Sequence, residues 1–154
     1  MPIRPEHRWL YPIDWPELSR MVRFARAGGR CDGCGRPHGR DVRCLDDGRW
    51  WDEDRGYWRD GRGKRARGLP RPGRERVTQP ALIEGVRLGA HRVTRVVLAS
   101  AHRDHDPGNN ASRNLAAFCQ RCHILYDAPE HRRRRWITLF RRRALGDLFL
   151  GLYR

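Results

Sequence analysis

The chain has 154 residues, of which 38% are hydrophobic and 33% charged, so it can form one ordinary domain with a modest core. Its 33 basic residues outnumber 18 acidic ones and give a net charge of +15, which makes nucleic acid the expected partner. No apolar run is long enough to cross a membrane, and residues 1–8 lack the apolar centre of a signal peptide. These features argue against a membrane or secreted protein and favour a cytoplasmic one.

Residues 14–30 are predicted to form an N-terminal helix. Asp14 is a suitable N-cap, Pro16 is tolerated in the first turn, and Glu17 lies near the positive end of the helix dipole. The apolar positions that follow recur at helical spacing, and they are Leu18, Met21, Val22 and Ala25. The pair at 28–29 is Gly-Gly, which ends the helix.

A cysteine turn and strand at residues 31–45 come next, followed at 46–91 by strand-like pieces and a basic insert. The strand-like pieces lie at residues 42–45, 49–51 and 57–59. Residues 61–80 are rich in Arg, Gly and Pro without a hydrophobic period, which predicts a mobile excursion or an extended basic arm. The tryptophans Trp50, Trp51 and Trp58 fit packing in a sheet better than stacking on unpaired bases.

Residues 92–128 are predicted to contain two strands and a helix. The β-branched run at 93–99 predicts one strand, residues 115–118 a second, and residues 120–127 a helix. We expect an interruption or bend near Pro129 and then a basic C-terminal helix within residues 129–154.

Two Cys-x-x-Cys pairs predict a structural zinc site. Four thiolates form the ligand set of a tetrahedral zinc, and the pairs are Cys31 with Cys34 and Cys119 with Cys122. A disulfide or redox role is the alternative, which a reducing compartment disfavours. Cys44 is left over and is expected to be a small buried hydrophobic residue.

A histidine–asparagine–histidine order surrounds the second cysteine pair. Residues 101–106 read Ala-His-Arg-Asp-His-Asp, Asn114-Leu115 follows, and His123 comes directly after Cys122. With the two cysteine pairs, this stretch resembles the HNH endonucleases of the subgroup with a four-cysteine zinc site. The resemblance covers about residues 93–127 plus the first pair. It implies one α+β domain over residues 1–154, with a small ββα-metal (His-Me finger) core and flanking N- and C-terminal helices.

The resemblance also implies a mechanism for hydrolysing DNA phosphodiester bonds, by nicking or by double-strand cleavage. His102 would be the general base that takes a proton from water. Asn114 would hold the loop and fix the tautomer of that imidazole. His123 would bind a divalent metal such as Mg²⁺ or Mn²⁺, which stabilises the leaving group.

The chain departs from the family pattern at Ala101, where the family usually has an Asp or His metal ligand. Asp127 is the best replacement, because it lies four residues after His123 and therefore on the same face of the helix. Asp104 and His105 in the loop are further candidates, and Asp106 is a weaker one. Loss of the ligand would instead leave an inactive site.

Exposed arginines are expected to contact phosphates. The candidates are Arg103, Arg132, Arg133, Arg134, Arg135, Arg141, Arg142 and Arg143. The leading hypothesis is a DNA endonuclease encoded by a prokaryote or a phage, an origin that comes from the family resemblance alone. The alternatives are a catalytically impaired zinc-containing module that binds nucleic acid, and an accessory subunit that docks on a larger nucleoprotein complex.

Overall fold

The computed structural model describes residues 5–69, 71–72 and 91–144. Its helices are a 3₁₀ helix (Pro5–Leu10), α1 (Trp15–Arg20) with a π-helical continuation (Met21–Arg26), a 3₁₀ turn (Ser112–Asn114) and α2 (Gln120–Ala144). Its strands are β1 (Asp41–Cys44), β2 (Trp50–Asp52), β3 (Tyr57–Arg59), β4 (Arg92–Arg95), β5 (Leu98–His102) and β6 (Leu115–Cys119). The predicted α+β class is confirmed. The N-terminal helix is present but ends at Arg26 instead of residue 30, and the helices predicted at 120–127 and within 129–154 are one helix as far as Ala144.

The strands form two antiparallel sheets. One has four strands in the order β3-β2-β1-β4, and the other is the β5–β6 hairpin, which pairs His102 with Leu115. Helix α2 starts directly after β6 and packs on both strands of the hairpin. The other cover of the hairpin is the π-helical turn of residues 21–26, which places Val22 in the core.

Strand β6 lies at the centre of the core. All five of its residues are buried, which fits its uninterrupted apolar sequence Leu-Ala-Ala-Phe-Cys. Val22, Val96, Leu98 and Trp50 belong to the same cluster, together with the buried cysteines. Because Trp50, Trp51 and Trp58 are each at most 6% exposed, their role is packing, as the sequence favoured.

The single strand predicted at residues 93–99 is wrong, because the chain changes sheets within it. Val96 still donates its N–H to the carbonyl of Arg40, but Val97 donates to the side chain of Gln120. The run therefore divides into β4 and β5. Its β-branched composition suits strands in both sheets and does not show where the crossing occurs.

The expected interruption near Pro129 is also absent, because α2 runs through Pro129 without a break. A proline there leaves the carbonyl of Leu125 without its helical partner. Leu125 and Pro129 both lie on the exposed side of α2, where water can hydrogen-bond to that carbonyl.

Residues 61–69 form turns that return along β3, in contrast to the predicted mobile excursion or extended arm. Lys64 accepts the N–H of Asp60 through its carbonyl at 2.7 Å, and Ala66 donates to the carbonyl of Trp58 at 2.7 Å. The remainder of the predicted insert, at position 70 and residues 73–90, lies outside the described residues, as do residues 145–154 of the predicted C-terminal helix.

Within the described part of the chain, no helix combines the length and the apolar character that spanning a membrane requires.

A buried ion pair holds the β2–β3 hairpin. Asp52 is 1% exposed and accepts a hydrogen bond from Nε of Arg59 at 2.6 Å. Arg59 also donates to the carbonyl of Gly63 at 2.6 Å, so the pair ties the hairpin to the turn that follows.

We expect Asp52→Ala to lower the free energy of unfolding by about 2 kcal/mol, since it leaves a charged donor without its partner. Urea unfolding followed by circular dichroism measures this. Asp54→Ala is the matched control, because Asp54 pairs with Arg30 and Arg40 at the surface and is 38% exposed. An equal loss of stability in both variants would contradict the importance of the buried pair.

Candidate metal centres

The four cysteines of the two Cys-x-x-Cys pairs form one cluster. Their sulfur atoms all lie within 4.8 Å of one another, and the closest approach shown is 3.6 Å between Sγ of Cys34 and Sγ of Cys119. A tetrahedron with Zn–S bonds of about 2.3 Å has S–S edges of about 3.8 Å. The cluster therefore fits a metal such as zinc.

The local sequence explains how the first pair reaches the second. Asp32 donates its N–H to the carbonyl of Ala117 and accepts the N–H of Ala117 through its carboxylate, both at 2.8 Å. These bonds fix the cysteine turn to the free edge of β6. A Cβ at Gly33 would lie 3.0 Å from Sγ of Cys122, so a side chain there would crowd the cluster.

Contacts among the thiols separate their acidities. Hydrogen bonds from Cys122 and Cys31 lower the pKa of the Cys119 thiol well below its usual value, and the bond to Cys119 raises the pKa of Cys34. Against the opposing effect of Cys119, contacts with Cys122 and Cys34 lower the pKa of the Cys31 thiol as well, so thiolate, the form that binds a metal, is favoured at two of the four positions. Cys44 is buried but lies outside the cluster, with its thiol 3.7 Å from the carbonyl of Val42, as predicted for a small hydrophobic residue.

A second cluster lies next to the first, on the opening turns of α2. Asp127 places one carboxylate oxygen 3.2 Å from Nε2 of His123 and the other 3.2 Å from Nδ1 of His105. The three side chains are between 14% and 27% exposed. The carboxylate of Asp127 therefore bridges two imidazoles, one from the helix and one from the loop.

His105 reaches this cluster through an unusual backbone conformation. Its φ of 60° makes it the only described non-glycine residue with a positive φ. Its ring packs on Tyr126 at 5.1 Å between centroids, and the hydroxyl of Tyr126 donates to the carbonyl of Arg103. Burial lowers the pKa of His123, against the opposing effect of Asp127, which favours the neutral imidazole that binds metals.

His102 stands at the end of β5 with different partners. Its ring stacks on Trp15, at 5.6 Å and 7° between the planes, and Tyr11 approaches it edge-on. Its Nε2 lies 3.0 Å from Oδ1 of Asn110. The expectation that Asn114 fixes the tautomer of this imidazole is therefore wrong, because the amide oxygen beside the ring is that of Asn110.

Asn114 instead organises the loop between β5 and β6. It is 9% exposed and donates through Nδ2 to Asp104 and to the carbonyl of Asn109, both at 2.8 Å. Asp104 also accepts from the side chain of Asn109 and from the N–H of Asp106. These bonds, with that of Asn114 first, lower the pKa of Asp104 to about 2. The carboxylate of Asp104 is committed to the loop and does not join the His–Asp cluster.

Ala101 contributes no ligand. It is 3% exposed, pairs with Ala116 in the hairpin and belongs to the hydrophobic core. Because side chains alternate along a strand, the position before His102 faces the core when His102 faces the other way.

The predicted phosphate-contacting arginines are all exposed. On α2, Glu130 pairs with Arg134 at 2.8 Å and Arg133 at 3.4 Å. Among the described residues, the others in that set have no carboxylate within salt-bridge distance, and they are Arg103, Arg132, Arg135, Arg141, Arg142 and Arg143.

The two candidate centres share one chain segment, since Cys122 belongs to the cysteine cluster and His123 to the His–Asp cluster. Sequence reasoning missed Tyr11, Trp15 and Asn110 around His102. The Asn-Asn pair at 109–110 was a visible signal, but nothing local connects Tyr11 or Trp15 with a histidine far along the chain.

No protein-family model, curated protein or solved structure matches the chain.

We expect Cys34→Ser to abolish stoichiometric zinc and to unfold the domain, because the buried cluster then loses one of its four ligands. Metal analysis of the purified protein and its far-UV circular dichroism measure the two effects. Cys44→Ser is the matched control, since it also removes a buried thiol, and it should retain zinc. Full zinc content in Cys34→Ser would exclude the cysteine cluster as the zinc site.

Proposed function

We propose that the protein is a metal-dependent endonuclease of the HNH type, which hydrolyses DNA phosphodiester bonds at a ββα-metal site formed by β5, β6 and α2. The observation that carries the proposal is the His–Asp cluster of His105, His123 and Asp127, in which His105 follows the end of β5 at His102 and His123 follows Cys122. An imidazole base, a metal-binding donor set and a basic surface are the parts that such a reaction needs.

His102 is the proposed general base, and its hydrogen bonds support that role. Asn110 donates through Nδ2 to the carbonyl of Leu10 at 2.9 Å, so its Oδ1 faces His102. An amide oxygen only accepts, which places the proton of the neutral imidazole on Nε2 and leaves Nδ1 as the base. Stacking on Trp15 restricts rotation of the ring. His102 can then take a proton from the water that attacks phosphorus.

His105, His123 and Asp127 are the residues that would hold the divalent cation. When bound, a cation such as Mg²⁺ or Mn²⁺ supplies charge neutralisation at the phosphoryl group and at the leaving 3′ oxygen. The lowered pKa of His123 keeps that imidazole neutral near pH 7, and Asp127 contributes the negative charge. Exposed arginines that have no carboxylate partner in the described part of the chain, among them Arg103 and Arg132, can bind the DNA backbone through paired N–H donors.

The buried Ala101 favours a second candidate function. A chain that lacks the usual ligand at this position could bind nucleic acid without cleaving it, as a zinc-containing module or as an accessory subunit of a larger nucleoprotein complex. A cleavage assay separates this candidate from the nuclease.

We expect the purified protein to nick or linearise supercoiled plasmid with Mg²⁺ or Mn²⁺ and not without an added divalent cation. His102→Ala should lower the cleavage rate by about 100-fold or more, because the general base is lost. His131→Ala is the matched control, as it removes an exposed histidine of α2, and it should cleave at the original rate. Identical background nicking in the unaltered protein and in His102→Ala would exclude the nuclease and leave the binding module.

Asp127→Asn should weaken Mn²⁺ binding by about 10-fold or more, since it removes the only anionic ligand of the proposed set without changing its shape. Electron paramagnetic resonance of free Mn²⁺ measures this affinity independently of cleavage. Asp106→Asn is the control, because Asp106 is exposed and bonds within its own loop. Unchanged Mn²⁺ affinity and unchanged cleavage in Asp127→Asn would remove Asp127 from the metal site.

A further inference from the structure

A basic groove runs beside β3, on the four-stranded sheet and outside β5, β6 and α2. It encloses about 400 Å³. Aromatic residues and arginines form much of its lining, and they are Trp51, Tyr57, Trp58, Arg65, Arg67 and Arg71. None of the described residues that line it is acidic. We refer to it as the β3 groove.

Backbone hydrogen bonds build one wall of the β3 groove. Arg65 forms a β-bridge with Arg59, and Ala66 donates its N–H to the carbonyl of Trp58 at 2.7 Å. The chain that carries Arg65 and Arg67 is therefore fixed along the edge of the sheet. Its arginines project from a defined surface.

The three arginines of the groove are exposed and have no carboxylate within salt-bridge distance among the described residues. The guanidinium of Arg65 lies 5.1 Å from the ring centre of Tyr57, and that of Arg71 lies 6.0 Å from Trp51. Aromatic contact holds a guanidinium through its face, so its N–H edge stays available for an anion.

Arginines in β1 or directly before β1 and β2 differ in this respect. Arg40, Arg43 and Arg49 each contact a carboxylate, at 2.6, 3.4 and 2.5 Å. Their partners are Asp54, Glu53 and Asp47, so the charge of these side chains is neutralised within the protein. Among the described residues, no carboxylate neutralises the arginines of the β3 groove in this way.

We propose that the β3 groove binds the phosphodiester backbone of DNA and is a second contact surface, separate from the proposed cleavage site. Three guanidinium groups that line one groove, with no carboxylate partner among the described residues, suit a chain of phosphates. Trp51 and Trp58 are 6% and 4% exposed, so bases cannot stack on their faces and the contact is independent of sequence. The proposal rests on the proposed nuclease function for the choice of DNA among polyanions.

The test compares two triple variants that change the net charge equally. One is Arg65→Gln/Arg67→Gln/Arg71→Gln, and the control is Arg40→Gln/Arg43→Gln/Arg49→Gln. Both are made in the His102→Ala background, and binding of a short DNA duplex is measured by fluorescence anisotropy without added divalent cation. Chelators are left out because they would also remove zinc.

We expect the groove variant to raise the Kd for the duplex about 10-fold or more at moderate salt. It should also reduce the slope of log K against log salt concentration by about 2 to 3, since each phosphate contact contributes about 0.9. The control should keep that slope. The variant Arg65→Lys/Arg67→Lys/Arg71→Lys should retain most of the affinity because it retains the charge.

An equal loss of affinity in both triple variants would overturn the proposal, since net charge alone would then explain the binding. A groove variant that binds the duplex like the parent would also overturn it, whether or not the protein cleaves DNA. A groove variant that loses affinity for an RNA duplex but not for the DNA duplex would overturn it as well. Arg67→Glu tests whether lost binding comes from misfolding, because a single change of an exposed side chain should leave the fold intact. It should weaken DNA binding while the zinc content of the protein stays unchanged. If the groove variant loses binding while the unaltered protein fails to cleave, the groove stands and the nuclease fails.

Discussion

The cysteine cluster is the constraint on which the rest of the structure depends. It joins Cys34 to Cys119 across 85 positions, and so connects the turn after the N-terminal helix with the junction of β6 and α2. The core is small, and several of its members are these cysteines. Without a metal ion, the thiols would be buried polar groups in mutual contact. With one, they fix the start of α2 and thereby the positions of His123 and Asp127.

Hydrogen bonds rather than burial determine the conformation of the loop between β5 and β6, which carries His105. The loop between β5 and β6 contains few apolar residues, and its shape follows from the Asn114 amide and the Asp104 carboxylate. A carboxylate that accepts three hydrogen bonds is held in its ionised form, so the pKa of Asp104 is lowered to about 2 and these bonds persist well below neutral pH. His102 and His105 leave this loop in different directions, one toward Asn110 and the other toward Asp127.

Sequence reasoning succeeds where residue type and spacing decide the structure. The paired cysteines predict the cluster, and helical spacing alone places Asp127 beside His123. Sequence reasoning fails where two residues, or two strand pairings, are equally compatible with the local sequence. Two asparagines in one loop can each accept from an imidazole, and only the carbonyl of Leu10, distant in sequence, selects Asn110. Likewise, a β-branched run suits either sheet, so the crossing between β4 and β5 depends on tertiary hydrogen bonds.

The geometry of the hairpin makes Ala101 a packing residue. A metal ligand on that residue would place a polar group in the core opposite Ala116, where an alanine packs without cost. His105 offers an imidazole from the loop instead, but it needs a left-handed backbone, which costs about 1 kcal/mol or more for a residue with a side chain. The hydrogen bonds of Asp104 and the contact with Tyr126 support that conformation. In the proposed site, the loop residue His105 supplies an imidazole, and the strand position of Ala101 serves packing.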